Sequence, residues 1–121
     1  MTQRRVVVTG IGVLTPIGNN VNEFWQAMME GKSGAGPITK FDTTDFTTKF
    51  GCEIKNYDPS NYIDKKSIRR MDPYTQYALI TSIMAVEDSA MNLEEVDKER
   101  IGVVFGSGIG GMDTFEKQHR E

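Results

Sequence analysis

Gly106, Gly108 and Gly111 stand in a Gly-x-Gly-x-x-Gly spacing after an apolar run, where backbone N–H groups at a helix start can cradle a pyrophosphate. A dinucleotide site also needs an acidic residue about 20 positions further on, and only ten residues follow Gly111. The plainer alternative is a tight strand-to-helix turn in which glycine admits positive φ or close backbone approach. Gly31-Lys32-Ser33 has the tail of a phosphate-binding loop, but Gln26 stands where that loop needs glycine, and the segment follows a helical pattern instead of opening one. Gly31 therefore reads as a helix C-terminal cap. Lys65, Lys66, Arg69 and Arg70 form the densest basic group. On a helix they would share an arc of about 140°, suited to a phosphate or an acidic helix, or simply to solvent. Cys52 is the single cysteine and His119 the single histidine, which excludes an internal disulfide and a Cys/His zinc set. No pair of carboxylates has surroundings that read as general acid and base.

These residues need elements to hold them. Val6-Val7-Val8 runs without alternation into Ile11, Val13 and Leu14, which predicts a strand covered on both faces. Asn20 with Glu23 three residues on, then Val21, Phe24, Trp25 and Met28 at helical spacing, predicts an amphipathic helix closed by Gly31. From Lys32 to about Ser60 the chain is rich in Gly, Thr, Asp and Pro and reads as an excursion, with one short edge strand near Phe50 to Ile54. Asp72-Pro73 predicts a capped helix start; the segment from Tyr74 to about Met91, free of Pro and Gly, predicts the longest helix, and with only Thr81 and Ser82 polar between Tyr77 and Val86 it is expected to be buried nearly all round. Ile101 to Phe105 predicts a second buried strand, leading into the glycine turn and the start of a last helix. The order is that of an α/β fold with parallel crossovers, and two strands leave its sheet unfinished.

The chain has 121 residues, 38% hydrophobic and 26% charged, with a net charge of -3, the composition of a soluble globular protein with no general attraction to nucleic acid or anionic membrane. No stretch approaches the roughly 20 apolar residues that span a bilayer. Arg4 and Arg5 precede an apolar run, but Gly10, Gly12 and Pro16 interrupt it without a cleavage pattern, so it reads as a strand and not a secretory signal. The expected location is the cytoplasm.

Arg5-Val-Val-Val-Thr-Gly-Ile-Gly-Val-Leu-Thr-Pro-Ile-Gly18, Gly31-Lys-Ser-Gly34, Phe41-Asp42, Arg69-Arg-Met-Asp72 with Gln76-Tyr-Ala78, and Ile101-Gly-Val-Val-Phe-Gly-Ser-Gly-Ile-Gly-Gly111 occur together, in order. This set resembles the beta-ketoacyl synthase family across essentially the whole chain, and the stretch from Phe41 through Asp72 favours the type II enzymes. The resemblance implies a thiolase-like layered α/β fold, of which residues 1–121 form a partial N-terminal domain. It implies a fatty-acid condensing enzyme, an acyltransferase that works as a homodimer without a cofactor or metal. In that family an acyl group passes from acyl carrier protein to a cysteine at a helix N-terminus. Malonyl-carrier protein is then decarboxylated and condensed with it, while two histidines stabilise the developing charge. Those three residues are expected beyond Glu121, and neither Cys52 nor His119 matches a catalytic motif. By the same resemblance Lys65, Lys66, Arg69 and Arg70 match the region that docks the acidic carrier protein, and Ile109 matches a residue lining the acyl-chain pocket. Two other readings remain open: a small nucleotide-binding module built on Gly106 to Gly111, and a standalone carrier-protein-binding domain.

Overall fold

The computed structural model describes residues 3–120. They gather into two compact units, one running through Gly12 and resuming at Pro59, the other Val13–Asp58.

In the second unit, helix α1 spans Val21–Met29 as its periodicity predicts. The Asn20 side chain accepts the Glu23 N–H at 2.9 Å and so satisfies one of the helix's free donors, while the Glu23 carboxylate reaches back past the cap to accept the Asn19 N–H at 2.9 Å. At the other end Gly31 takes φ +66°. Its N–H donates to the Met28 carbonyl and that of Lys32 to Ala27, the paired bonds of a Schellman cap. The excursion that follows holds a two-residue antiparallel ladder, β1 (Gly36–Pro37) with β2 (Phe50–Gly51), in the register Gly36 to Gly51 and Pro37 to Phe50. Local bonds order the rest. Glu53 accepts both the N–H and the hydroxyl of Thr39, Asp42 accepts both from Thr44, and Phe41 meets Phe46 edge to face at 5.6 Å.

Among the described residues the first unit carries three α-helices: α2 (Lys65–Ile68), α3 (Pro73–Asp88) and α4 (Met112–Arg120). Proline opens α3 where its missing N–H is harmless, and Ile80, 1% exposed, is the anchor of its buried face. Gln76, also buried, donates to the carbonyls of Ile68 and Met71 and so ties α3 to the end of α2. The N-terminal segment crosses α3 at backbone distance. A Cβ on Gly12 would stand 1.9 Å from the Thr81 carbonyl oxygen and one on Gly10 2.1 Å from that of Ala85, so only glycine fits there. Ile11 N–H secures the crossing by donating to Asp88 at 2.8 Å.

Two expectations need correction. Neither Val6 to Leu14 nor Ile101 to Phe105 lies in a named strand, and Val6 and Val104 are 90% and 95% exposed. Strands of the buried parallel kind take their backbone partners from flanking strands, and β1 and β2 form the only sheet among the described residues. For the same reason α3 is not buried all round: Gln76 and Ile80 are enclosed while Leu79 and Val86 face outward.

Candidate functional site

Two surfaces of the first unit carry the residues singled out by the sequence. The basic one begins at Asp64, whose carboxylate accepts the N–H groups of Lys66 and Ser67, each at 3.0 Å, and so caps α2. The bonds to Ser67 hold the Asp64 carboxyl below its ordinary range. Here the sequence expectation of one helical arc is corrected. The helix ends at Ile68, Arg69 is its C-cap, and Arg70 lies in the following turn, because the Ser67 carbonyl accepts Arg70 N–H in a tight three-residue step. Lys65, Lys66, Arg69 and Arg70 are nonetheless all exposed and close in sequence, which makes one basic patch free to meet an anionic partner.

The second surface is a cleft of about 230 Å³ lined by the start of α3, the glycine loop and the start of α4. Tyr74 and Tyr77 bring two aromatic rings, three residues apart and so on one helical face, while Ile109 supplies an aliphatic side chain from the loop. Ile109 is 79% exposed, so the described residues give it one wall of a binding site and not an enclosure. The loop is held closely at Gly110 and Gly111. A Cβ on Gly110 would meet the Tyr74 ring at 2.9 Å, and Gly111 has φ +70° with its Cβ position 3.0 Å from Asp72 Oδ2. Asp72 was expected to cap α3. It makes no side-chain bond to that helix, and its other oxygen accepts the Thr114 hydroxyl instead.

This arrangement bears on the nucleotide reading of the same loop. A pyrophosphate at the start of α4 would meet the Asp72 carboxylate beside Gly111 and a second acidic residue, Asp113, in the first turn. The glycines at 110 and 111 are explained by the close approach of Tyr74 and Asp72. Cys52 lies exposed just past β2, and the His119 ring stacks parallel to Phe115 at 6.2 Å. Among the described residues no cluster of three or more His, Cys, Asp or Glu is placed to hold a metal ion, and no helix is long and apolar enough to cross a membrane. Tyr74, Tyr77 and Asp72 line this cleft without being singled out by the sequence reading. The tyrosine spacing was a usable signal, but the bond from Asp72 to Thr114 joins positions 42 apart and leaves no local trace.

The family model described as Beta-ketoacyl synthase, N-terminal domain, matches residues 3–121. Among curated proteins, the 3-oxoacyl-[acyl-carrier-protein] synthase 2 of Coxiella burnetii is 46% identical over 98% of this chain, and that of Synechocystis 42% identical over 98%. The chain spans 29% and 28% of the length of those two relatives. Among solved structures, the ishigamide ketosynthase/chain length factor superposes with a TM-score of 0.71 at 37% identity, covering 78% of this chain and 24% of that one. A type II PKS acyl-carrier protein in complex with its ketosynthase bound to the hexaketide superposes at 0.74, covering 98% of this chain and 32% of that one; at 22% identity it speaks to the fold alone. The mixed helix and sheet of this chain is accordingly part of a ketosynthase-type, thiolase-like fold. With the family model matched along nearly its whole length, the chain belongs to the beta-ketoacyl synthase family, in the N-terminal domain.

Proposed function

We propose that this chain serves as the amino-terminal portion of a fatty-acid elongation enzyme, one that condenses acyl-carrier protein with malonyl-carrier protein to give 3-oxoacyl-carrier protein, CO2 and free carrier protein. The observation that carries the reading is the 42% to 46% identity, along nearly all of the chain, to enzymes named 3-oxoacyl-[acyl-carrier-protein] synthase 2. On this reading the chain contributes binding surface and not the reacting groups. Condensation in this family takes one cysteine and two histidines, and a chain with a single histidine cannot furnish them. The exposed basic patch at Lys65, Lys66, Arg69 and Arg70 is where the acidic carrier protein docks, steered by charge. Ile109, in the cleft it lines together with Tyr74 and Tyr77, contacts the alkyl tail of the acyl group. The working enzyme is a cytoplasmic homodimer, in which further chain covers the exposed valines of residues 6–8 and 103–104.

The test is a chimera in which this chain replaces the matching segment of the Coxiella burnetii synthase. Retained synthesis of 3-oxoacyl-carrier protein from acyl- and malonyl-carrier protein supports the reading. A folded dimeric chimera that loads acyl groups but makes no condensed product counts against it.

A further inference from the structure

An aspartate before a helical proline ordinarily turns its carboxylate back on its own helix, accepting N–H groups of the first turn. Asp72 does not. Its Oδ1 accepts the hydroxyl of Thr114, the third residue of α4, and its Oδ2 lies 3.0 Å from the position a Gly111 side chain would occupy. Gly111 is the residue whose carbonyl accepts the first bond of α4, from Phe115 N–H at 2.9 Å. The carboxylate thus sits over the positive end of α4, where charge and dipole attract, while the Tyr74 ring presses on Gly110 from the same helix. Two side chains two residues apart at the start of α3 therefore grip Gly110 and Gly111, and the next residue back along the chain is Ile109. The grip also explains why both positions are glycine: any side chain there would displace Tyr74 or Asp72.

We propose that Asp72 is a positioning residue for acyl-chain selection. Through Thr114 it locks the α3 and α4 starts together, and through Gly111 it sets how far Ile109 stands from Tyr77 across the cleft. The aspartate touches no substrate; it acts by fixing the loop that does. This inference rests on the reading of Ile109 as a contact for the acyl tail. A cleft whose width is held by one carboxylate to hydroxyl bond selects among alkyl lengths by small differences in fit, and one methylene in an apolar pocket is worth about 10- to 200-fold in discrimination.

The experiment compares kcat/KM for a long and a short acyl-carrier protein in the chimera carrying Thr114→Val, Thr114→Ser or Asp72→Ala. Thr114→Val removes only the hydroxyl at an exposed position, so it stays informative if Asp72→Ala fails to fold. The expected result is a long-to-short ratio changed about tenfold by Thr114→Val and by Asp72→Ala. Thr114→Ser, which restores the donor, stays within about twofold of the parent, and the double variant is no worse than the worse single one. An unchanged ratio in an active chimera overturns the inference, as does an equal fall for both substrates, the mark of a merely structural bond. An inactive parent chimera instead strikes at the condensing function on which the inference stands.

Discussion

On the proposed reading, Ile109 is the residue that contacts the acyl tail. Its side chain lines the same cleft as Tyr74 and Tyr77 and stands mostly in solvent, so added bulk there takes volume from the cleft. Ile109→Phe in the chimera is expected to lower kcat/KM for long acyl groups by about tenfold while short ones are processed within about twofold of the parent. Acyl-length competition assays measure this, and equal loss for all lengths would contradict it. The four basic residues act differently. They are exposed and need no fixed geometry, so on the proposed docking role their effect is summed attraction, screened by salt. Reversing all four to Glu should weaken carrier-protein binding by about tenfold or more at low ionic strength, and the difference should shrink as salt rises. Binding that ignores both the charges and the salt would show that the carrier protein docks elsewhere.

At the scale of elements, α3 and α2 each rest on one identifiable contact. The crossing of the N-terminal segment over α3 is possible because Gly10 and Gly12 lack side chains, and a methyl group at Gly12 would fall inside the Thr81 carbonyl. Gly12→Ala should therefore destabilise the chimera by about 1–3 kcal/mol, read as a lower midpoint in urea unfolding. An unshifted midpoint would mean that the segment moves off the helix freely. Helix α2 depends on Asp64. Its carboxyl is held low in the folded chain by the bonds to Ser67, so its capping contribution is complete above the ordinary carboxylate range and fades as pH falls through the lowered folded value. Amide exchange at Lys66 and Ser67, corrected for intrinsic rates, should lose protection as pH falls below the ordinary carboxylate range, and Asp64→Asn should remove that dependence. Protection that persists to the acid limit would place the stability of α2 elsewhere.

The whole molecule is short of core. Ala27, Ile63 and Ile80 are its buried apolar residues among those described, while Val6, Val8, Val103, Val104 and Phe105 lie in the open. Apolar, β-prone segments without partners invite association with other copies. The chain by itself is expected to give a broad thermal transition, to bind hydrophobic dyes and to aggregate as concentration rises, and to yield no 3-oxoacyl product. A sharp, reversible unfolding of a monomer would refute this. The residue order alone determined the family, the ends of α1, the start of α3 and the basic cluster, because caps, helical periodicity and charge runs are written in neighbours a few positions apart. It also marked Val6 to Leu14 and Ile101 to Phe105 as strand-like, but whether such a segment becomes a strand depends on partners distant in the chain or outside it, which no local pattern records. Only the tertiary structure decided that Asp72 serves α4 and not α3, and that Gly12 exists for the sake of Thr81. Each of those contacts joins residues tens of positions apart, and their energy arises only when folding brings the two helices and the N-terminal segment to touching distance.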